Sequence, residues 1–140
     1  MLRIAICCGG GFSSSALANH LDQEIAEKHL EDQVSFIFIP GHQLEKRQDE
    51  VDIAMICPHL EYSMKQRAAK NLYHIPVSVI PPRLYGLMPA RDFVEDAEDL
   101  IELWKAGAKN LVTFEDEPRP LQVKRMVSHR RSLRGEKATF

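Results

Sequence analysis

Apolar residues in this chain switch between continuous runs and four-residue spacing, and that alternation predicts strands interleaved with helices. Residues 2–7 are apolar apart from Arg3, as suits a strand covered on both faces. From Ser13 onward Leu17, Leu21 and Ile25 recur every fourth residue among Asn19, Asp22, Gln23, Glu24 and Glu27, the pattern of an amphipathic helix that Ser13 or a neighbour can cap. Residues 34–39 are rich in β-branched and aromatic side chains and stop at Pro40-Gly41, predicting a second strand. Residues 42–50 are polar with only Leu44 to anchor them, so a short exposed helix or turn is expected there. A third strand is expected over 51–57, ended by Pro58, then a helix carrying Leu60, Met64, Ala68 and Leu72, then a fourth strand over 77–80 closed by Pro81-Pro82.

The clearest helical stripe is Phe93, Val94, Ala97, Leu100, Ile101 and Trp104, with Gly107 as its stop. Strands alternating with helices build a parallel sheet through right-handed crossovers, and the ligand site of such a sheet lies beyond the carboxyl ends of its strands. That edge collects the loops starting at Cys8, Pro40, Cys57 and Pro81. Residues 110–114 read either as a fifth short strand or as a segment packed on the body, and 115–120 as a linker. The expected organisation is an α/β domain over 1–107 and a C-terminal extension over 108–140, with a weak helix pattern in its basic tail.

A length of 140 residues is enough for one domain with a real core. No apolar run approaches the roughly 20 residues of a bilayer span and no secretory leader is evident, so a cytoplasmic location is the expectation. The three cysteines, Cys7, Cys8 and Cys57, are too few for a disulfide framework or zinc knuckle. The net charge of −2 hides an asymmetry: residues 119–140 hold seven basic residues against one acid, Glu136, a net of +6, so the first 118 residues carry −8.

Chemistry concentrates where the first run ends. After Cys8 come Gly9, Gly10, Gly11, Phe12, Ser13, Ser14 and Ser15, and then the helix. A cysteine is nucleophilic as its thiolate, which a helix N-terminus stabilises through unpaired N–H groups that equally bind phosphate. Three glycines let the backbone fold its N–H groups around an anion, and the three serine hydroxyls add donors. The stretch thus describes a thiolate able to attack phosphorus and hold the phosphoryl group. Its alternative is a buried strand-end cysteine beside a flexible turn. The glycine spacing is neither a dinucleotide fingerprint nor a nucleotide P-loop.

Cys8 followed by Gly11-Phe12-Ser13-Ser14-Ser15 and a helix resembles the Cys-x-x-Gly-Met-Ser-Thr-Ser loop of the lactose/cellobiose-type IIB components of the bacterial phosphoenolpyruvate-dependent sugar phosphotransferase system. Residues 51–64 are similar to that family's Asp-Val-Val-Leu-Leu-Gly-Pro-Gln-Ile-Ala-Tyr-Met, and Ile75-Pro76-Val77 through Leu84-Tyr85-Gly86 to its Pro-Val-x-x-Ile segment ending in Tyr-Gly. The resemblance spans about residues 1–107. It implies a four-stranded parallel sheet of order 2-1-3-4 flanked by helices, with a phosphatase-like cysteine loop after strand 1. It also implies a cysteine that takes phosphate from a IIA phosphohistidine and passes it to the sugar carried by the membrane IIC component. Alignment on Gly11 makes Cys8 that residue and Cys7 a structural one. The partners implied are phosphorylated IIA, the IIC permease and, through it, a carbohydrate, with the protein peripheral to the inner membrane face. Neither cofactor nor metal is implied. The chain departs from the pattern at Phe12, where the family has Met, at His59, where it has Gln, and at 80–83, which lack the usual acid. His59, Arg83 and Tyr85 are candidates to support the phosphate site.

Two other classes compete. Low-molecular-weight tyrosine phosphatases and arsenate reductases share the strand, cysteine, loop and helix, but the sixth position after Cys8, where the phosphatase places a phosphate-clamping arginine, is Ser14. No Asp-Pro general acid stands at the expected place either, and a thiophosphate without hydrolytic machinery persists until an acceptor arrives. A non-enzymatic regulator would use the basic tail on nucleic acid or an acidic protein face, yet the tail shows no nucleic-acid motif, so a nucleic-acid partner is not expected. Finally, Cys57 and Cys8 fall near one sheet edge if strands 1 and 3 are neighbours, which raises the question of an oxidative link between them.

Overall fold

In the computed structural model the described residues are 1–8, 12–30, 32–82, 89–114, 116, 117, 123, 125 and 127–135, without the side chains of residue 8 and residues 12–15. Strand β1 (Leu2–Cys8) leads to helix α1 (Phe12–Glu27) and strand β2 (Val34–Pro40). The polar stretch beyond is three short turns of helix, Gly41–Gln43, α2 (Leu44–Arg47) and Gln48–Glu50. Strand β3 (Ile53–Ile56) is followed by the 3₁₀ turn Pro58–Leu60 and α3 (Glu61–Ala69). Strand β4 (Val77–Val79), α4 (Ala90–Lys105) and α5 (His129–Leu133) complete the order. All strand pairs are parallel and the sheet order is β2-β1-β3-β4, as expected.

Both faces of the sheet are buried, which explains why its strands read as apolar runs rather than alternations. Ile4, Ile6, Ile53 and Met55 pack under α1 and α4, with Leu17, Leu21, Ile25, Phe93, Ala97 and Leu100. Phe36 and Phe93 meet edge to face, their centroids 6.3 Å apart. Ala5, Cys7, Ala54 and Ile56 face the other way, toward Leu44 and Met64. Cys7 is completely buried in that second core, in agreement with a structural cysteine. The edge strand β2 is blunted by Asp22, whose Oδ1 accepts the Phe36 N–H at 2.9 Å.

Several expectations shift. Helix α1 already includes Phe12, so Ser13 lies within its first turn and the cap position falls earlier, among residues outside the description. Helix α3 ends at Ala69, and Leu72, expected on its stripe, is exposed. Leu44 anchors the polar stretch as expected, but Gln48 is buried with it: its Nε2 donates to the Glu45 and Leu72 carbonyls and its Oε1 accepts the His74 N–H.

Of the two readings of 110–114, the packed segment is the one observed. Val112 N–H donates to the Val77 carbonyl at 2.9 Å and Ser78 Oγ to the Val112 carbonyl at 2.8 Å, covering the open side of β4 without adding a strand. Gly107, at φ +109°, makes the turn that starts this return. The segment then reaches α4. Its acids Asp92 and Asp96, buried on the helix, accept the backbone N–H groups of Ser128 and His129 at 3.1 and 2.8 Å. Arg130 pairs with Asp99, and Arg131 with Glu95. The acidic protein face met by the basic tail is thus helix α4 of the same chain.

Candidate functional site

The end of β1 and the start of α1 lie at the carboxyl edge of the sheet. Cys8 is the last residue of β1 and stands beside Pro40, the last of β2, in the ladder. After three intervening residues α1 begins and runs for 16 residues. The N–H groups of the cap residue and of the first three helical residues have no carbonyl partner within a helix, and here the latter are residues 12–14. Cysteine and helix N-terminus are therefore brought to one end of the sheet by an all-parallel arrangement in which β1 is central.

The neighbouring strand adds the second wall. Cys57 extends beyond β3 with φ −68° and ψ 152°, and its N–H donates to the Cys7 carbonyl at 2.9 Å. Pro58 then opens a single 3₁₀ turn, which puts His59 at this same edge, exposed and unburied by any other element. The end of β4 supplies Ile80, whose N–H donates to the Ile56 carbonyl, and then Pro81 and Pro82. Arg83 and Tyr85, and Gly9, Gly10 and Gly11 of the loop, lie outside the described residues. Phe12, Ser13, Ser14 and Ser15 are helical, and nothing further is described of their side chains.

Below Pro81 lies a small cavity lined by Val79, Ile80, Asp96, Val123 and Arg125, where the C-terminal segment meets the end of β4. Arg125 is almost fully enclosed there. Its Nη1 donates to Asp96 Oδ2 at 2.9 Å and to the Val127 carbonyl at 2.7 Å, and its Nε to Glu117 Oε2 at 2.8 Å. Phe114 packs against two side chains: the Arg125 guanidinium is 5.5 Å from its ring centroid, and the His129 ring stacks on it at 3.9 Å. Burial pushes the Asp96 carboxyl up to about 6, against the pull of Arg125. For Arg125 itself burial pulls down, and Asp96 and Glu117 more than offset it, so its pKa is raised. The hydrogen bond from His129 holds Asp116 below its ordinary value. Among the described residues, Asp116, Glu117 and His129 bring possible metal-ligand atoms within 4.8 Å of one another, but these atoms already serve the pairs with Arg125 and with each other. The loop sequence did not reveal this cluster. The only sequence signal was the charge imbalance between body and tail.

The protein-family model described as "PTS system, Lactose/Cellobiose specific IIB subunit" matches residues 3–96. The chain belongs to this family. Its members are phosphoryl-transfer subunits of a sugar phosphotransferase system, and the observed sheet order is the one the resemblance implied. Among solved structures the chain is similar to the lactose-specific IIB component domain of the phosphoenolpyruvate:carbohydrate phosphotransferase system from Streptococcus pneumoniae, at 14% identity and a TM-score of 0.46, over 77% of this chain and 98% of that one. A search of curated proteins finds no match. The IIB family match ends inside α4, so the segment that covers β4 and carries Arg125 lies beyond it. No helix among the described residues is long and apolar enough to cross a membrane.

Proposed function

We propose that Cys8 is the phosphoryl carrier of a IIB subunit, loaded by a IIA phosphohistidine and discharged to a sugar held by the membrane IIC component. The observation that carries this reading is the position of Cys8 at the end of the central strand, directly before the α1 N-terminus, inside the IIB family match. In the first step the Cys8 thiolate attacks the phosphohistidine phosphorus. The S–P bond forms, the P–N bond breaks, and histidine leaves with the electron pair. In the second a sugar hydroxyl attacks the same phosphorus: the O–P bond forms, the S–P bond breaks, Cys8 leaves as thiolate with the electron pair, and the hydroxyl proton passes to solvent. Backbone N–H groups of residues 9–15 and the hydroxyls of Ser13, Ser14 and Ser15 hold the phosphoryl oxygens, with Phe12 in the family's Met position. His59, Arg83 and Tyr85 support the site from the β3 and β4 loops, where a cation favours docking of a phosphorylated donor. Ser14 in place of the phosphatase arginine fits a relay better than a hydrolase.

Incubation with phosphoenolpyruvate, the general phosphotransferase proteins and candidate IIA partners tests the proposal by mapping the labelled residue. The expected label is on Cys8 and is absent from Cys8→Ser. A label elsewhere, or one that survives Cys8→Ser at full level, overturns it.

A further inference from the structure

We propose that Cys57 is a resolving thiol for Cys8, so that peroxide converts the pair into a disulfide that blocks phosphoryl transfer. The effect on transfer rests on Cys8 being the phosphoryl carrier; the disulfide itself does not. The juxtaposition comes from the β1–β3 ladder. Cys7 is paired with Ile56, and the ladder continues one step further, because the Cys57 N–H donates to the Cys7 carbonyl at 2.9 Å. Cys57 therefore stands alongside Cys8, the next residue of β1. Neighbouring strands lie about 4.8 Å apart, inside the roughly 4.4–6.8 Å that a disulfide spans between Cα atoms. Both residues are at the ends of their strands, where the backbone leaves the sheet and adjusts at least cost. Cys7, the other thiol nearby, is built into the α2 and α3 side of the core.

Burial separates the roles. Cys57 has no exposed surface, so the first step, with the oxidant, is assigned to Cys8, the residue that precedes the loop, and the second to Cys57. The Cys8 thiolate attacks hydrogen peroxide: an S–O bond forms, the O–O bond breaks, and hydroxide leaves as water once protonated. Cys57 sulfur then attacks the Cys8 sulfenic acid. The S–S bond forms, the S–O bond breaks, and the oxygen leaves as water with the Cys57 proton. Two thiols lose two hydrogens and one peroxide becomes two waters. A Cys8 joined to Cys57 has no thiolate to offer, and reduction restores it before the irreversible sulfinic stage is reached.

The full chain treated with hydrogen peroxide, alkylated and digested without reductant gives the test. The expected result is a mass loss of about 2 Da and a linked peptide pair containing Cys8 and Cys57. Loading from phosphoenolpyruvate through IIA falls at least tenfold and returns after dithiothreitol. In Cys57→Ala, with Cys57→Ser as a second variant in case the first fails to fold, the same dose drives Cys8 to a sulfinic acid that dithiothreitol does not restore. A Cys7–Cys8, Cys7–Cys57 or intermolecular bridge, or a Cys8 that over-oxidises equally in the wild type, overturns the proposal. A mapped Cys8–Cys57 bridge in a protein that never accepts phosphate supports the disulfide and refutes the relay alone.

Discussion

Arg125→Met removes a cation from an enclosed site and leaves its partners behind. The Arg125 and Asp96 side chains are 5% and 3% exposed, and Glu117 is 15% exposed. Breaking a buried pair by deleting one member costs about 3–5 kcal/mol, because the remaining charge stays desolvated. Here two carboxylates and the Val127 carbonyl lose a donor together. With a urea m-value of about 2 kcal/mol/M, the midpoint should fall by roughly 2 M at pH 7. A fall of less than about 0.3 M with the same m-value would refute the claim that this cation holds the segment.

The pH arm sharpens the test. Burial raises the folded Asp96 pKa to about 6, above its unfolded value, so the folded state takes up a proton as pH falls and this group adds stability on the way from pH 7 toward pH 4. Between the unfolded and the folded pKa the stability rises by at most roughly 1.4 kcal/mol for each pH unit of acidification. Without Arg125 the carboxyl is pushed higher still, and its protonation relieves more of the damage. The cost of Arg125→Met should therefore be smaller at pH 5 than at pH 7, and the difference should vanish on an Asp96→Asn background. A cost independent of pH between 5 and 7 would show that Asp96 does not face the guanidinium. Glu95 and Asp116 behave oppositely: their pKa values are lowered in the fold, so their contribution is lost as pH falls below about 4.

Asn110→Ala should destabilise by about 1–3 kcal/mol in the same urea titration, since its Oδ1 accepts the Val77 N–H at 2.7 Å and its Nδ2 donates to the Ile75 carbonyl at 2.8 Å, leaving both unpaired when the amide is removed. His59→Ala should leave the urea midpoint within about 0.5 kcal/mol of the wild type, as the side chain is exposed, and should raise the KM for phosphorylated IIA several-fold if it helps the donor dock; an unchanged KM removes it from the site.

The four strands and the α4 stripe were legible because each buries both faces or one clear stripe, so burial and periodicity carry the same information. The end of β1 was legible to within one residue, the strand running to Cys8 rather than Cys7, because glycines follow an apolar run. The role of Gln48 was not, because a buried amide reads as one more polar residue unless its three backbone partners, two of them more than 20 residues away, are known. The same holds for Asp92 and Asp96. In a helix pattern they belong to the polar face, and only the return of residues 123–131 converts that face into an interior.

The charge asymmetry then acquires a physical meaning that pattern alone did not supply. Left to water, the acids of α4 would be harmless surface charges, as exposed carboxylates cost nothing to hold. Covered by the C-terminal segment they become expensive, and Arg125, Arg131 and the N–H groups of Ser128 and His129 offset the cost, although Asp92 Oδ2 stays buried without a hydrogen-bond partner. A segment bound in this way has spent Arg125, Arg130 and Arg131 on its own helix, which leaves less cationic surface for a polyanion than the count of +6 implied. Its effect is felt at the other end of the strand it covers. Arg125 and Val123 line the cavity beneath Pro81, where the chain leaves β4 for the carboxyl edge, so an electrostatic clamp outside the IIB family match packs against the start of that edge.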